Sequence, residues 1–507
     1  VYCIMHMKQK NKVKFSLLLT NALLAGCTPE KPPVIIPAKG YEVLENWVTI
    51  ADFDTSYLRG DDTRDILVLP ISVPKEKRDI SVLAKEWDNK TIKAVTDYYT
   101  DPNCDEQYAV IPYFERASFG KKTFNNYVAP LYIENDYLLS DIENPNLYYS
   151  CLIQLINKAI KNAEINYGDG FKERFDKNND GFVDALNVML DTHDSKNGVD
   201  VVTWPHSADA MVENGNYLGV GRYTLTNSVY FSRDTTFINH ELSHTFGIAD
   251  YYDYGYSGRS FIGGYDMQED NAGDWNAFSK FTVGWGTPYV INGEKDEVTI
   301  TIASSQLTGE YIVIPSDYYF FEDSPFNEYF ILELLTNDEN NKGALEKYID
   351  HEGESYGARL MYANGTLCKI KTSSIVGAKS EGTLKTFEDA EALKDDANSF
   401  SMYACNNSVP SSTRPYVKGY DNVPLLSVVE ASKENRFWTT KDWSQISLQE
   451  EDLFYTDDEF VFQDYSTFIT KDLLSQEYMN DGSYFPYKIH VDEVNKDYMT
   501  VTITYEY

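Results

Sequence analysis

Hydrophobic residues along this chain follow different spacings, and each spacing predicts a different kind of element. An almost unbroken apolar run at 65–73 and a shorter one at 185–190 are typical of buried strands. Between them, apolar residues recur every three or four positions over 152–163, which predicts an amphipathic helix. Strands that alternate with helices as far as about residue 290 indicate an α/β domain.

The pattern changes beyond Asn292. Apolar and polar residues alternate over 298–302, and the same alternation returns near the end of the chain over 499–503. A period of two is typical of half-buried strands, which cover a core with one face only. The spacing therefore predicts an α/β domain at 46–292 and a β-rich domain at 293–507.

The first 27 residues have the features of an export signal. Four lysines within 8–14 precede an apolar run at 15–24 that is too short to span a bilayer as a mature helix. The run ends in Leu24-Ala25-Gly26-Cys27, which resembles the lipobox of bacterial lipoproteins. We therefore expect a signal peptide at 1–27 and a lipid on Cys27, the alternative being a plain secretory signal with a chance cysteine.

The segment that follows, 28–45, is rich in proline and fits a semi-rigid tether. The protein would then lie outside the cytoplasm, held at the cell envelope or surface through its lipid anchor only. No other apolar stretch approaches the ~20 residues that a membrane-spanning helix needs.

Charge and cysteine content narrow the choice of partners. Acidic residues outnumber basic ones by 79 to 44, for a net charge of -35, which argues against binding to a phosphate backbone. The same carboxylates are the usual ligands of calcium.

The cysteines show no C-x-x-C spacing, so a cysteine zinc site is not expected. Cys368 and Cys405 are candidates for a disulfide, and Cys151 is expected to pack as a small apolar side chain.

The strongest chemical motif is His240-Glu241-Leu242-Ser243-His244. On a helix, His240 and His244 project from one face and can bind one zinc ion, while Glu241 reaches the water beside it. With 7 histidines in 507 residues, chance would produce this pattern only about 0.007 times. Ser232 or Asp234 can cap the helix, and a left-handed Gly247 can end it and turn the chain back toward the metal.

Longer stretches resemble the immune inhibitor A family of secreted metallopeptidases. The resemblance begins with the run 240–250 and its continuation Tyr251-Tyr252-Asp253-Tyr254. Gly263-Gly264-Tyr265-Asp266-Met267 is similar to the segment after the zinc helix of that family, with Met267 at the Met-turn position below the metal. The resemblance covers about 60–295, and Gln268 departs from it where the family often has a second methionine.

The resemblance implies a zincin-like α/β catalytic domain, with a mixed sheet, an active-site helix and a metzincin-like lower half that begins near Asp250. A β-rich C-terminal domain follows. It also implies one catalytic zinc, protein or peptide substrates and Glu241 as the general base. Asp250 is the preferred third ligand, and Glu269 is its rival, since third ligands can also come from a second helix.

A second motif, 176–184, resembles the first part of a calcium loop. Oxygen ligands would come from Asp176, Asn178, Asp180 and Asp184, with the carbonyl of Phe182 in the seventh place. The twelfth place, usually a glutamate, is Asn187, which departs from a complete EF-hand. The alternative is a solvated acidic turn, and any calcium here would be structural.

Other functions remain open at this point. The chain could be a surface binding protein or adhesin that retains a metallopeptidase fold, or a lipoprotein in which the metal is structural. An intact Glu241 argues against the first, and a site with only three evident protein ligands argues against the second. The G-x-S-x-G match at Ser355 is expected to be accidental, because the residues before it are mostly polar.

Overall fold

The computed structural model describes most of the chain after residue 38. The described ranges are 39–73, 83–84, 87–136, 148–193, 205–252, 260–321, 323–370, 399–402, 406, 424–440, 446–469, 478–479 and 483–506. The elements below all belong to one unit, Lys39–Tyr507. The predicted signal peptide, Cys27 and the first part of the tether lie outside the described residues, as does Cys405 of the predicted disulfide.

The described strands of eight or more residues all lie after residue 205, among shorter ones. In chain order they are β1 Tyr41–Val43, β2 Leu67–Ser72, β3 Leu83–Ala84, β4 Tyr127–Val128, β5 Tyr132–Ile133, β6 Leu186–Leu190, β7 Thr192–His193, β8 His206–Asn214, β9 Tyr217–Asn227, β10 Thr287–Ile291, β11 Glu297–Ala303, β12 Glu310–Pro315, β13 Glu328–Thr336, β14 Tyr356–Asn364, β15 Leu367–Ile370, β16 Ser399–Met402, β17 Leu426–Val428, β18 Glu459–Val461, β19 Tyr487–Val494 and β20 Tyr498–Tyr505.

The two helices of more than ten residues in the described part of the chain both lie before residue 170. The helices are α1 Ile50–Phe53, α2 Asn89–Thr100, α3 Val110–Ala117, α4 Tyr148–Tyr167, α5 Phe171–Phe175, α6 Ser228–Phe231, α7 Thr236–Ser243, α8 Met267–Asp270, α9 Ala277–Val283, α10 Tyr318–Phe321, α11 Arg436–Thr439 and α12 Phe462–Ile469. In the described residues, no helix combines the length and the apolar character needed to cross a membrane.

The first sheet has the order β4-β2-β6-β9-β8, with β5 also paired to β2. β2, β6 and β9 run parallel, and β8 pairs antiparallel with β9 at the edge. One face packs on α4 through an outer core that includes Leu67, Leu186 and Ile156. The predictions of strands at 65–73 and 185–190 and of a helix over 152–163 are therefore confirmed. Cys151 packs against this core as predicted.

The second sheet has the order β1-β10-β12-β13-β14-β17, and its central strands β12, β13 and β14 are buried on both faces. Alternate residues of its strands enter two different cores. Val313 and Ile331 belong to a central core that they share with α3, α7 and α9. Their neighbours Ile312 and Phe330 belong to a sandwich core on the opposite face. Burial on both faces explains why β12, β13 and β14 read as nearly continuous apolar runs.

The third sheet, β11-β20-β19-β18, covers the other side of the sandwich core. β11 alternates between buried and exposed residues, and its partner β20 points Met499, Val501 and Ile503 into the core. The half-buried strands predicted at 298–302 and 499–503 are thus confirmed. The predicted domain boundary falls after Asn292, one residue beyond β10, which already pairs in the second sheet. The placement of that boundary stays a prediction.

Candidate metal centre

The motif His240–His244 lies on α7 and on the single 3-10 turn, His244–Phe246, that continues it. Asp234 accepts hydrogen bonds from the backbone N–H and the hydroxyl of Thr236 at the start of the helix. Gly247 ends the turn in the left-handed conformation, with φ of 84°. A Cβ at this position would come within 3.0 Å of the Ile50 side chain, so both conformation and space require glycine. The predicted helix end is confirmed.

The chain turns back after Gly247 and brings Asp250 to the two histidines. Asp250 Oδ1 lies 2.9 Å from His240 Nε2 and 3.3 Å from His244 Nε2. The backbone N–H of the next residue, Tyr251, donates to the carbonyl of Gln268 and fixes this return segment. Among the described residues, these three side chains form the only group of three or more possible ligands whose ligand atoms all lie within 4.8 Å of one another.

Each histidine is oriented by a backbone carbonyl. Nδ1 of His240 lies 2.8 Å from the carbonyl oxygen of Met267, and Nδ1 of His244 lies 2.7 Å from that of Ile248. A neutral ring that donates its Nδ1–H to a carbonyl keeps the lone pair of Nε2 available for a metal. The two carbonyls thus favour the tautomer that carries its proton on Nδ1. They also orient both rings so that the Nε2 atoms face Asp250. Met267, predicted at the Met-turn, supplies one of these two carbonyls.

The two histidines and the aspartate of the cluster shift the pKa values of one another. Burial lowers the pKa of His244, but the adjacent Asp250 carboxylate outweighs it and raises this pKa to about 9. The pKa of His240 is raised in the same way, because the effect of Asp250 outweighs that of burial. Burial raises the pKa of Asp250, yet the two histidines hold it well below its ordinary value. In a chain without metal, protons on the imidazoles supply the positive charge that Asp250 requires.

Glu241 stands beside the cluster with a buried carboxyl group. Only 4% of its surface is exposed, and burial raises its pKa to about 7. Its Oε2 has no hydrogen-bond partner among the described residues and lies 3.9 Å from His244 Nε2. A buried carboxyl oxygen without a donor is costly in a purely structural role. The position suits a group that acts on a bound molecule.

Zinc fits this donor set. Two imidazole nitrogens and one carboxylate are a common protein ligand set for a catalytic zinc with an open fourth position. Ligand atoms that each bind a tetrahedral zinc at about 2.0–2.2 Å stand roughly 3.3–3.5 Å apart. The two measured separations from Asp250 Oδ1, 2.9 and 3.3 Å, lie close to that range. Only small shifts of the side chains would be needed to accept the ion.

Glu269, the rival third ligand, lies in α8 and is bonded elsewhere. Its two carboxylate oxygens accept hydrogen bonds from the Ser260 hydroxyl and the Gly264 backbone N–H. Burial raises its pKa to about 8. The structure therefore groups Asp250, and not Glu269, with the two histidines.

Sequence reasoning missed the side chains that hold the backbone on either side of Met267. Asp266 is fully buried, and its carboxylate accepts from the Gln268 backbone N–H and from both the backbone N–H and the side-chain amide of Asn276. Burial raises its pKa to about 6. The hint in the sequence was an aspartate at the N-cap position directly before Met267.

The predicted calcium loop has a different arrangement. Asp176 accepts from the backbone N–H groups of Asp180 and Gly181, at 2.9 and 3.1 Å. Asp184 accepts from the Lys177 N–H and its other oxygen lies 3.4 Å from Arg64 Nη1. The carboxylates of this loop do not converge on one point as His240, His244 and Asp250 do. The calcium site stays a prediction.

The G-x-S-x-G match at Ser355 does not form a catalytic triad with His490, the only histidine after it in the sequence. The Ser355 hydroxyl donates to the carbonyl of Ile349, whereas His490 lies on β19 near Glu459 and Asp492. No family model matches this chain, and a comparison with curated proteins finds no match either.

Proposed function

We propose that this chain is a zinc-dependent endopeptidase of the immune inhibitor A type, held outside the cytoplasm by a lipid on Cys27. The observation that carries the proposal is the convergence of His240, His244 and Asp250 beside the buried carboxyl of Glu241. A zincin-like fold of the first domain belongs to the same proposal.

The chemistry divides between the ion and the protein. Zinc, when bound, supplies a Lewis acid that polarises the scissile carbonyl and makes water acidic enough to attack. His240, His244 and Asp250 hold the ion and keep it open on one side. Glu241 takes the proton from the attacking water and delivers it to the nitrogen of the leaving amine. A carboxyl whose pKa is raised to about 7 is poised to do both near neutral pH.

The substrate backbone has a place to bind next to this centre. β8 is the strand at one edge of the first sheet in the described part of the chain, and it contacts α7. An extended peptide can add to such an edge through main-chain hydrogen bonds. This main-chain pairing does not depend on the side chains of the peptide, which suits an enzyme that acts on unfolded or extended segments of proteins.

The deciding experiment compares the full chain with its Glu241→Gln variant. Zinc content is measured by mass spectrometry of the metal, and hydrolysis is measured on casein. We expect one zinc per chain in both proteins and cleavage by the wild type only, because glutamine keeps the size of the side chain but cannot take a proton. Loss of activity by a factor of about 10²–10⁴ is the usual effect of removing a general base.

Other outcomes would favour the alternatives. Zinc in both proteins and cleavage in neither would support a surface binding protein or adhesin that retains the fold. Cleavage that survives in Glu241→Gln would refute the role of Glu241. Failure to bind zinc would remove the whole proposal.

A further inference from the structure

A cavity of about 1240 Å³ lies where the second and third sheets meet. Its lining comes from the 292–296 loop, the end of β12, α10, the residues around the start of β19 and the end of β20. The described lining includes no residue of the metal centre. The hydroxyl oxygens of Ser316, after β12, and Ser483, before β19, lie 2.6 Å apart. This contact joins the second-sheet side of the cavity to the third-sheet side, so the cavity is formed before any ligand enters.

Tyrosine rings are exposed on both of these sides. Tyr319, in α10, is 80% exposed, and Tyr484, just before β19, is 39% exposed. The backbone N–H of Tyr319 donates to the Asp317 carboxylate at 2.9 Å, which fixes the start of α10. Tyr484 forms an antiparallel β-bridge with Tyr478, and their rings stand 6.3 Å apart at 72°. Exposed aromatic rings at fixed positions beside a cavity are typical of a binding surface.

The charged lining residues narrow the class of ligand. No lysine or arginine lines the cavity in the described part of the chain, so a phosphate or another anion has no counter-charge there. Glu328 is buried and accepts from the Tyr362 hydroxyl at 2.6 Å, and Asp317 accepts from the Tyr319 N–H. These two carboxylates therefore have donors within the protein and do not call for a cationic partner.

A metal ion is not favoured either. Four carboxylate side chains line the cavity, but no three of them come close enough together, among the described residues, to ligate one ion. The observations favour an uncharged ligand.

Sugar units match the combination of groups in this lining. A sugar ring has an apolar C–H face that packs on an aromatic ring, and hydroxyls at its edge that donate and accept hydrogen bonds. Carboxylates, amides and hydroxyls accept from such groups without any net charge on the ligand, and Asp317, Asn292 and Ser316 supply one of each. The volume exceeds the roughly 300–1,000 Å³ of sites for single small ligands, so several linked units have room.

We propose that this cavity binds a neutral oligosaccharide of several linked sugar units. The rings of Tyr319 and Tyr484 pack against the C–H faces of the sugars, and Asp317 and Asn292 bond to their hydroxyls. This binding does not depend on the peptidase activity proposed above, since it involves other residues.

The first test measures the binding of four neutral hexasaccharides to the full chain by isothermal titration calorimetry. The four are built from β-1,4-linked glucose, N-acetylglucosamine, xylose and mannose. We expect at least one of them to bind with a Kd below about 1 mM. Its affinity should change less than about twofold between roughly 50 and 500 mM NaCl, because salt screens only charged partners.

A set of variants tests the aromatic contact with the hexasaccharide that binds. Tyr319→Ala removes a side chain that is mostly in solvent, so the fold should be unaffected, and it should weaken binding about three- to tenfold. Tyr319→Phe keeps the ring and should bind as the wild type does. The matched control is Tyr498→Ala, which removes a tyrosine of 36% exposure at the end of β20 opposite to Tyr505. It should leave binding unchanged.

Four results would overturn the proposal. If none of the hexasaccharides binds at about 5 mM, the cavity is not a glycan site. If Tyr319→Ala and Tyr498→Ala weaken binding equally, the sugar does not bind at this cavity. If Tyr319→Phe loses as much affinity as Tyr319→Ala, ring packing is not the contact. If the sugars fail but an end-blocked hexalysine peptide binds and loses affinity in Tyr319→Ala, the cavity takes a cationic peptide instead.

Discussion

Two segments of this chain carry metal-site motifs, and the backbone binds different atoms of their side chains. In the metal centre, the backbone binds the Nδ1 atoms of His240 and His244 and leaves their Nε2 atoms directed at Asp250. In the 176–184 loop, the backbone N–H groups bind the carboxylate of Asp176 itself. A histidine can be held at one nitrogen and ligate through the other, whereas a carboxylate held by amides has only the remaining lone pairs of the same oxygens to offer to an ion.

The comparison teaches what preorganisation requires of each ligand type. The two histidines of the proposed zinc site are oriented by atoms that would not compete with the ion, so their geometry survives without it. The loop carboxylates have substitute partners, including Arg64 beside Asp184. The first site is expected to bind its ion tightly, and the second to bind weakly.

The largest effect is expected from neutralising the third zinc ligand. Asp250→Asn should weaken zinc binding by roughly a hundredfold or more, since about 10–16 kcal/mol shared by four ligands leaves several kcal/mol for each. Glu269→Gln is the matched control, because it neutralises the rival carboxyl in the same way, and it should change zinc affinity less than about threefold. Competition with a chromogenic chelator measures both affinities. The reverse ranking would make Glu269 the ligand.

A second effect concerns Glu269 and pH. Its pKa is raised by burial to about 8 from an ordinary value of 4.5, so the folded chain prefers the protonated form. The stability from this preference is complete below pH 4.5 and is lost as pH rises toward 8. Between pH 5.5 and 7.0 the wild type should lose about 2 kcal/mol relative to Glu269→Gln, at roughly 1.4 kcal/mol per pH unit.

Urea unfolding of the two proteins at several pH values measures this difference. Glutamine resembles the protonated carboxyl and does not titrate, so effects of every other group cancel in the comparison. Parallel pH profiles for the two proteins would mean that Glu269 is ionised in the folded chain.

A smaller effect is expected from the residue that holds the Met-turn. Asp266→Asn replaces an acceptor of three hydrogen bonds by an amide that repels some of these donors. The carbonyl of Met267 should then orient His240 less well and weaken zinc binding about tenfold. Asp274→Asn, at another buried aspartate nearby in the chain, is the control for a general loss of stability. Equal affinities in the two variants would show that Asp266 has no specific role in positioning.

Local spacing was sufficient to predict much of this arrangement. The alternation over 298–302, the helical spacing over 152–163 and the turn at Gly247 depend on neighbours in sequence, and each is confirmed. Asp250 could be predicted as a ligand for the same reason, because only a single turn separates it from His244. Contacts between distant segments were not predictable in this way. His240 and Met267 are 27 positions apart, so their hydrogen bond could not be predicted from local spacing.

The double burial of the second sheet depends on long-range packing as well. Alternate residues of β12 and β13 enter cores on opposite faces, and both sets are apolar. A continuous apolar run tells only that a strand is buried and not what covers each face. The acidic and aromatic cavity combines residues from 292 to 505, so no local pattern could have located it.

The smallest effect is expected at the 176–184 loop, where the prediction of calcium is still open. Binding requires Asp184 to turn away from the Lys177 N–H and from Arg64, so the affinity should be that of a weak extracellular site, about 10⁻⁴–10⁻³ M. At 1 mM calcium such a site stabilises the fold by only about 0.4–1.4 kcal/mol. Thermal unfolding with and without calcium should show this gain in the wild type and its loss in Asp180→Asn. Asp169→Asn, an exposed aspartate just before the loop, should retain the gain. A stabilisation that persists in Asp180→Asn would place calcium elsewhere, and none in the wild type would make the loop a solvated acidic turn.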